Sequence, residues 1–294
     1  MYIITGASGH TGHRVATQLL QAGKPVRAIV RNAEKVQDLK DLGAEIAVGD
    51  LEDEAFLTQA FKGATAVYAM IPPKWDLTDW RPWQDEIGKT IANALSKAGV
   101  KKVAILSSLG AHLPNGAGPV SGLYDLEKHV QAVSGLDVLA FRPAYFMSNL
   151  YAQVDMIKGM GILGSALRGD LPAPMIHPND IGDAVTKRLL TLDWSGFEVA
   201  DLGGAREYTM TEVASIIGKA IGKPELPYVQ FSYEDSLNGM LGAGLPETIA
   251  KGYNEMYACM NDGHFLNAYH RTPETTTSTT LETFVEQELA HAFK

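Results

Sequence analysis

The sequence predicts an α/β fold built on a doubly wound parallel sheet. Short β-branched runs alternate with helical patterns through the first half of the chain. Most of those runs are nearly continuously apolar, as strands covered on both faces are. A glycine-rich turn joins the first run to the first helix, a third sign of the same architecture. With 294 residues, 46% of them apolar, the chain can bury one large core or two modest ones.

Strands are expected at 2–5, 26–30, 45–48, 66–71, 102–107 and 138–141, with helices between them at about 10–22, 33–42, 54–61, 83–98 and 124–134. In the fourth helix Ile87, Ile91, Ala94, Leu95 and Ala98 mark one apolar face at helical spacing. After Pro143 the rhythm breaks into a stretch punctuated by Gly159, Gly161, Gly164, Gly169, Pro172, Pro174 and Pro178. The segment NDIGDAVTKRLL then reads as a helix with Asn179 or Asp180 at its start, so that Asp180 is a cap and not an acid. GFEVADLGG reads as a further strand, and TMTEVASIIGKAIG as a helix capped by Thr211. Residues 232–262 read as helical. A threonine-rich loop follows, in which Thr279 and Glu282 fit a capping box before a last helix.

The formal charge of -9 argues against a nucleic-acid partner, because phosphate backbones are gripped by basic surfaces. The one cysteine, Cys259, permits neither an internal disulfide nor a cysteine-rich metal site, and reads as a packing residue. No His/Cys/Asp/Glu group has metal-ligand spacing, so no metal is expected. The opening MYIITG carries no basic leader and no long apolar stretch, so the expectation is a cytoplasmic protein without a membrane span.

The segment TGASGHTG lies between the first strand and first helix, with glycines at Gly6, Gly9 and Gly12. One glycine lets the chain turn sharply, one lets backbone approach a pyrophosphate, and one lets the helix lie close to the sheet. Ser8, His10 and Thr11 complete the loop, and the helix start offers unpaired N–H groups to phosphates. A dinucleotide is the expected ligand. At the end of the second strand, where NAD binders carry an acid for the ribose diol, this chain has Arg31 followed by Asn32. A guanidinium suits a 2′-phosphate, so NADP(H) is expected in preference to NAD(H). Asp50 and Leu51 fall at the adenine edge. Ile71, Pro72 and Pro73 fall where ribose and nicotinamide would lie, although two prolines also stiffen a loop without any ligand.

Taken in order, the glycine loop, VRN, GDL, SSLGA, SGLDVLAFRPAYFMSNL, NDIGDAV and LGGAREYTMTEVASIIGKAIG resemble the NmrA-like branch of atypical short-chain dehydrogenases, from residue 1 to about 225. The resemblance implies a Rossmann-type domain over 1–145, its sheet completed by about 176–202. A smaller C-terminal substrate domain would then comprise 146–175 and 203–294, with the cleft between the two. Type 2 quinone oxidoreductases and triphenylmethane reductases share the pattern, and so do non-catalytic dinucleotide sensors that report to protein partners.

LYDLEKHV places Tyr124 four residues before Lys128, on one helix face. In the dehydrogenase mechanism such a lysine lowers the phenol's pKa and the phenol protonates the substrate oxygen. Ser107, at the end of the fifth strand, is placed to polarise that oxygen and to face the cofactor. Spacing leaves a second reading open. Counted from the turn VSGLD, Lys128 stands where the family carries an acid and Tyr124 where it carries lysine. Lys128 also precedes Arg142 by 14 positions, about one helical turn (~5.4 Å) closer than a dehydrogenase pair would. Even out of register, Tyr124 is expected to line the cleft.

Trp75, Trp80 and Trp83 crowd the segment after the fourth strand and either stack on a flat substrate or pack the helix start. Tyr145, Phe146 and Asn149 approach from the other side. Pro143 and Phe146 are expected to shape the nicotinamide pocket, and Asn149 bonds backbone or substrate. His177 reads as structural, and Met240, Met256 and Met260 read as core. The expected function is NADPH-dependent reduction of a small aromatic or conjugated acceptor, quinone-like or dye-like. The alternatives are an NADP(H) sensor acting on a protein partner, and a carbonyl reductase or sugar-nucleotide epimerase using Tyr124 and Lys128. Monomer and homodimer both remain open.

Overall fold

The computed structural model describes residues 1–294. The chain alternates β1 (Tyr2–Ile4), α1 (His10–Gln21), β2 (Val26–Val30), α2 (Gln37–Asp41), β3 (Glu45–Val48), α3 (Glu54–Phe61), β4 (Ala66–Ala69), α4 (Trp80–Lys97), β5 (Lys102–Leu106), α5 (Ser121–Gln131) and β6 (Asp137–Pro143). Then follow β7 (Tyr145–Phe146), α6 (Val154–Met160), β8 (Leu163–Ser165), β9 (Ala173–Ile176), α7 (Pro178–Thr191), β10 (Phe197–Leu202), β11 (Glu207–Tyr208), α8 (Met210–Ala220), β12 (Tyr228–Gln230), α9 (Tyr233–Gly242), α10 (Glu247–Asn261) and α11 (Leu281–Gln287).

Seven strands form one sheet in the order β10-β6-β5-β4-β1-β2-β3, and every pairing is parallel. Chain direction across the sheet reverses between β1 and β4, which opens a crevice at their C-terminal ends. Side chains alternate between the two faces, as strand geometry requires. Ile4, Tyr68 and Phe141 pack with Val15 and Leu19 of α1 and with Ile181 and Val185 of α7. Ile3, Val67 and Val138 pack on the other face with Leu57 of α3, Ile91 of α4 and Val130 of α5. A separate core holds Met147, Leu163, Met175, Val213, Ile217 and Phe284. It joins α6, α8 and α11 to a three-stranded sheet, β11-β9-β7, and a two-stranded one, β12-β8.

Several helix starts differ from expectation, each for a local reason. The 33–42 segment begins as a 3₁₀ turn at Ala33–Val36, with the Asn32 side chain accepting from Glu34 N. Helix α4 starts at Trp80 because Asp79 caps it. Helix α7 starts at Pro178, so neither Asn179 nor Asp180 is its cap. The cap is His177, whose Nδ1 accepts from Asn179 N at 3.1 Å, and proline at the first position presets the backbone. Asp180 instead accepts from Thr279 N (3.0 Å) and Oγ1 (2.7 Å), anchoring the C-terminal loop. With Thr279 thus engaged, Thr280 caps α11. Thr209 caps α8 in a capping box with Glu212, while Thr211 donates to Gly169 O. No helix is long and apolar enough to cross a membrane.

Candidate active site

The β1–α1 turn is shaped by its glycines. Gly6 takes φ +61°, a left-handed conformation favouring glycine, and a Cβ there would stand 2.9 Å from Met70 Sδ. A Cβ on Gly12 would stand 2.5 Å from Gly6 O and 2.9 Å from Thr5 O, so only glycine lets α1 lie this close to the turn. No side chain caps α1. Ser8, Gly9 and His10 are exposed there, and together with His13, Arg14 and Asn179 they border a polar hollow. Thr11 is buried and accepts from the Tyr68 hydroxyl (3.1 Å), so it braces the loop and does not face the hollow.

At the end of β2, Arg31 is exposed and enters no ion pair within the protein. Asp50 Oδ1 accepts from Glu52 N and shapes the loop after β3, while Leu51 is half-buried against the sheet core. Glu52, which sequence reasoning passed over, accepts from Trp83 Nε1 (2.8 Å) and Lys74 Nζ (3.1 Å). Those two bonds hold its carboxyl below the usual carboxylate range. They also tie the loop after β3 to the one after β4.

Beyond the ends of β4, β5 and β6 lies a cavity of about 360 Å³, mostly apolar in its lining. Ile71, Pro72, Pro73, Ser107, Tyr145 and Phe146 line it, as do Trp75, Trp80 and Trp83. Asn149 reaches its rim and is exposed. Pro143 does not line it: it is buried within β6, and the next residue, Ala144, reaches the cavity instead. Opposite the sheet, Tyr253, Met256 and Met260 of α10 form the far wall. The two methionines therefore face the cleft as well as the core. Their spacing could not show this, since one helix face serves either purpose.

Both readings of the tryptophans have support in the packing. Trp80 packs on Gly252, where a Cβ would meet its Nε1 at 2.7 Å. Thr248 donates to Thr78 O and fastens the loop to α10. Trp75 stacks on Tyr253 with ring centres 5.9 Å apart at 26°, and remains 54% exposed at the mouth.

The structure does not bring Tyr124 and Lys128 into the cleft. Helix α5 presents Leu123 to it, and the 3₁₀ turn just before the helix presents Val120. Tyr124, one position further round, is half-buried outside the lining, and Lys128 is exposed. The Lys128 ammonium sits 5.4 Å above the Tyr124 ring and reaches Gln131 at 3.4 Å. The acid on the inner face is Glu127, only 4% exposed, one residue before the position that counting from VSGLD indicated. One residue turns a helix by about 100°, enough to send a side chain off the face.

Glu127 accepts from Arg142 Nε (2.9 Å) and Nη2 (2.5 Å) and from Ser107 Oγ (2.5 Å). Ser107 thus lines the cavity with its hydroxyl proton already committed, which corrects its expected role as donor to a substrate oxygen. A carboxylate amid Leu123, Leu126 and Val130 was the available signal, since a charge on an apolar face requires a partner. Nearby, burial raises the carboxyl pKa of Asp201, and burial followed by the charge of Arg142 lowers that of the His112 imidazole.

The model of the NmrA-like family matches residues 2–290. The chain belongs to the NmrA-like family. Among curated relatives, an NAD(P)H azoreductase of Xenophilus azovorans is 28% identical over 292 residues, covering 99% of this chain and 98% of that protein. Quinone oxidoreductase 2 of Escherichia coli strain K12 is 28% identical over 258 residues, covering 85% of this chain and 84% of that one. The crystal structure of the E. coli NADPH-dependent quinone oxidoreductase in complex with NADPH superposes with a TM-score of 0.81. It is 26% identical and covers 98% of this chain and all of that one. The parallel sheet and its flanking helices are thus those of Rossmann-like, NAD(P)-binding members of this NmrA-like family.

Proposed function

We propose that this NmrA-like chain is an NADPH-dependent reductase of small aromatic or conjugated acceptors, quinone-like or azo-like. The observation that carries the reading is an aromatic, largely apolar cleft at the sheet's switch point, into which α5 and the turn before it project Leu123 and Val120 instead of a tyrosine–lysine dyad. The residues present fit a dinucleotide. Gly12 brings α1 against the turn, a polar hollow opens at the uncapped helix start, and Arg31 is free. Ser8, Gly9 and His10 would receive the pyrophosphate, and Arg31 the 2′-phosphate. Ile71, Pro72 and Pro73 would pack beside the ribose and nicotinamide.

When bound, the nicotinamide supplies a hydride. The chain's own contribution is to orient the acceptor and exclude water, with Trp80, Phe146 and Met256 as walls. An electron-poor quinone or azo compound accepts hydride readily, and solvent can protonate the product. A simple ketone or a sugar epimerisation would ask for a positioned acid, which α5 does not provide. The named activities of the azoreductase and the quinone oxidoreductase support the same assignment.

The test is NADPH oxidation followed by nicotinamide absorbance, with and without a small quinone, and repeated with NADH. Quinone-dependent consumption that is faster with NADPH is expected. Tight NADPH binding without turnover of quinone or azo acceptors would move the assignment to a sensor.

A further inference from the structure

Resting on that reading, we infer that the phenols of Tyr145 and Tyr253 receive the polar end of the acceptor. The substrate is then a neutral flat molecule bearing a carbonyl, nitro or azo group, and not an organic cation. The argument starts from the polar groups facing the cavity. Lys74 is the one charged residue in its lining, and it is paired with Glu52 at 3.1 Å. No Asp, Glu or His lines the cavity. The nearby acid Glu127 is sealed beneath by Arg142 and Ser107. A cation entering here would leave water without meeting a counterion, a transfer that aromatic faces offset only in part.

Several donors of the wall are engaged within the protein, and Asn149 and Trp75 lie exposed at the rim and mouth. Ser107 donates to Glu127, Ser108 to Leu109 O, and Trp83 to Glu52. Gln84 is wedged against Gly122 of α5, where a Cβ would meet its Oε1 at 2.1 Å. The hydroxyls of Tyr145 and Tyr253 donate to no group of the protein, and both residues line the cavity. Tyr145 is positioned by β7, whose backbone pairs with β9 through Tyr145 and Met175. Tyr253 is held by its stack on Trp75 and by Tyr257, with ring centres 6.2 Å apart. Burial raises the pKa of both phenols. They therefore stay protonated and act as donors.

A polar end built from two phenols favours a ligand that can accept. A quinone oxygen, a nitro oxygen or an azo nitrogen has a lone pair to offer, and a triarylmethane cation brings charge without one at its centre. Removing a phenol also leaves the ligand's acceptor desolvated and unpaired, and that loss exceeds the net strength of the bond.

The experiment uses the full-length protein with saturating NADPH and two acceptors, a neutral quinone and a triarylmethane cation. Binding of azobenzene in the presence of NADP⁺, read by tryptophan quenching, accompanies it. Tyr145→Phe is expected to lower kcat/KM for the quinone about tenfold to hundredfold. It should weaken azobenzene binding to a similar degree, leaving NADPH affinity and melting temperature at wild-type values. Tyr253→Phe should act in the same direction, which covers the case in which the first variant fails to fold. The wild-type should prefer quinone over cation. If the wild-type turns over neither acceptor but Tyr145→Phe still weakens azobenzene binding, the reductase reading fails and this inference stands. Wild-type quinone kinetics and azobenzene binding in both variants, or faster reduction of the cation, would overturn it.

Discussion

The side of the cleft proposed for the cofactor takes its groups from strand ends in the first half of the sheet, whereas the side proposed for the acceptor joins segments scattered over the chain. Gly6, Arg31, Asp50 and Ile71 each follow β1, β2, β3 or β4 within two residues, and Gly12 lies in the first turn of α1. The acceptor side combines Trp75 and Trp80, Leu123, Tyr145 and Phe146, and then Tyr253, Met256 and Met260. The first arrangement is enforced by backbone geometry, as the Gly12 contact with Gly6 O illustrates. The second depends on α10 docking against the loop after β4. Acceptor preference can therefore change without disturbing the groups placed for the cofactor.

The two sides share one buried joint, and breaking it should have the largest effect. Glu127→Ala leaves the guanidinium of Arg142 facing an apolar void and Ser107 without its acceptor. We expect a loss of about 3–5 kcal/mol in urea unfolding, the usual consequence of removing one partner of a buried pair. A loss below about 1 kcal/mol would mean that Arg142 finds water or Asp201 instead.

Arg31→Ala should sharpen the separation between the sides. NADPH affinity is expected to fall about tenfold to hundredfold, equivalent to about 1.5–3 kcal/mol for a charge-assisted bond. NADH affinity and the KM for quinone should stay unchanged. Equal weakening of both cofactors, measured by fluorescence titration, would remove the 2′-phosphate from the account.

A smaller effect is expected at high pH, mainly from the acceptor side. Burial raises the pKa of Tyr145, Tyr253 and Tyr257, the last to about 12, and that of Tyr68 within the sheet core. The unfolded phenol ionises near pH ~10. These groups therefore contribute full stability below about pH 10, and that contribution is lost as pH rises towards the folded values. Melting temperature should decline above this point, and Tyr257→Phe should make the decline shallower. A decline equally steep in that variant would assign it to other groups.

The same contrast explains what could be read from the sequence. The strands and the glycine turn were legible because continuous apolar runs and a three-glycine spacing encode backbone geometry locally. The placement of Arg31, exposed just after β2, was legible because a strand end fixes it. The helix caps at His177, Thr209 and Thr280 fell one to three residues from expectation, since a long-range partner such as Asp180, which engages Thr279, is invisible to local spacing. Glu127 was missed because counting back from a turn carries an error of one residue, which a helix converts into a different face. Met256 and Met260 could not be assigned to the cleft, since apolar periodicity marks a buried face without saying what lies opposite it.

The smallest predicted effect bears most directly on the central claim that reduction here needs no tyrosine–lysine dyad. Quinone-dependent NADPH oxidation should be compared between the wild-type protein and Tyr124→Phe under identical conditions. The account predicts turnover by both, with rates within about a factor of two, because Tyr124 lies outside the cleft. A fall of about 10²–10⁴ in the variant, the span that loss of a general acid produces, would contradict it and restore Tyr124 as the proton donor.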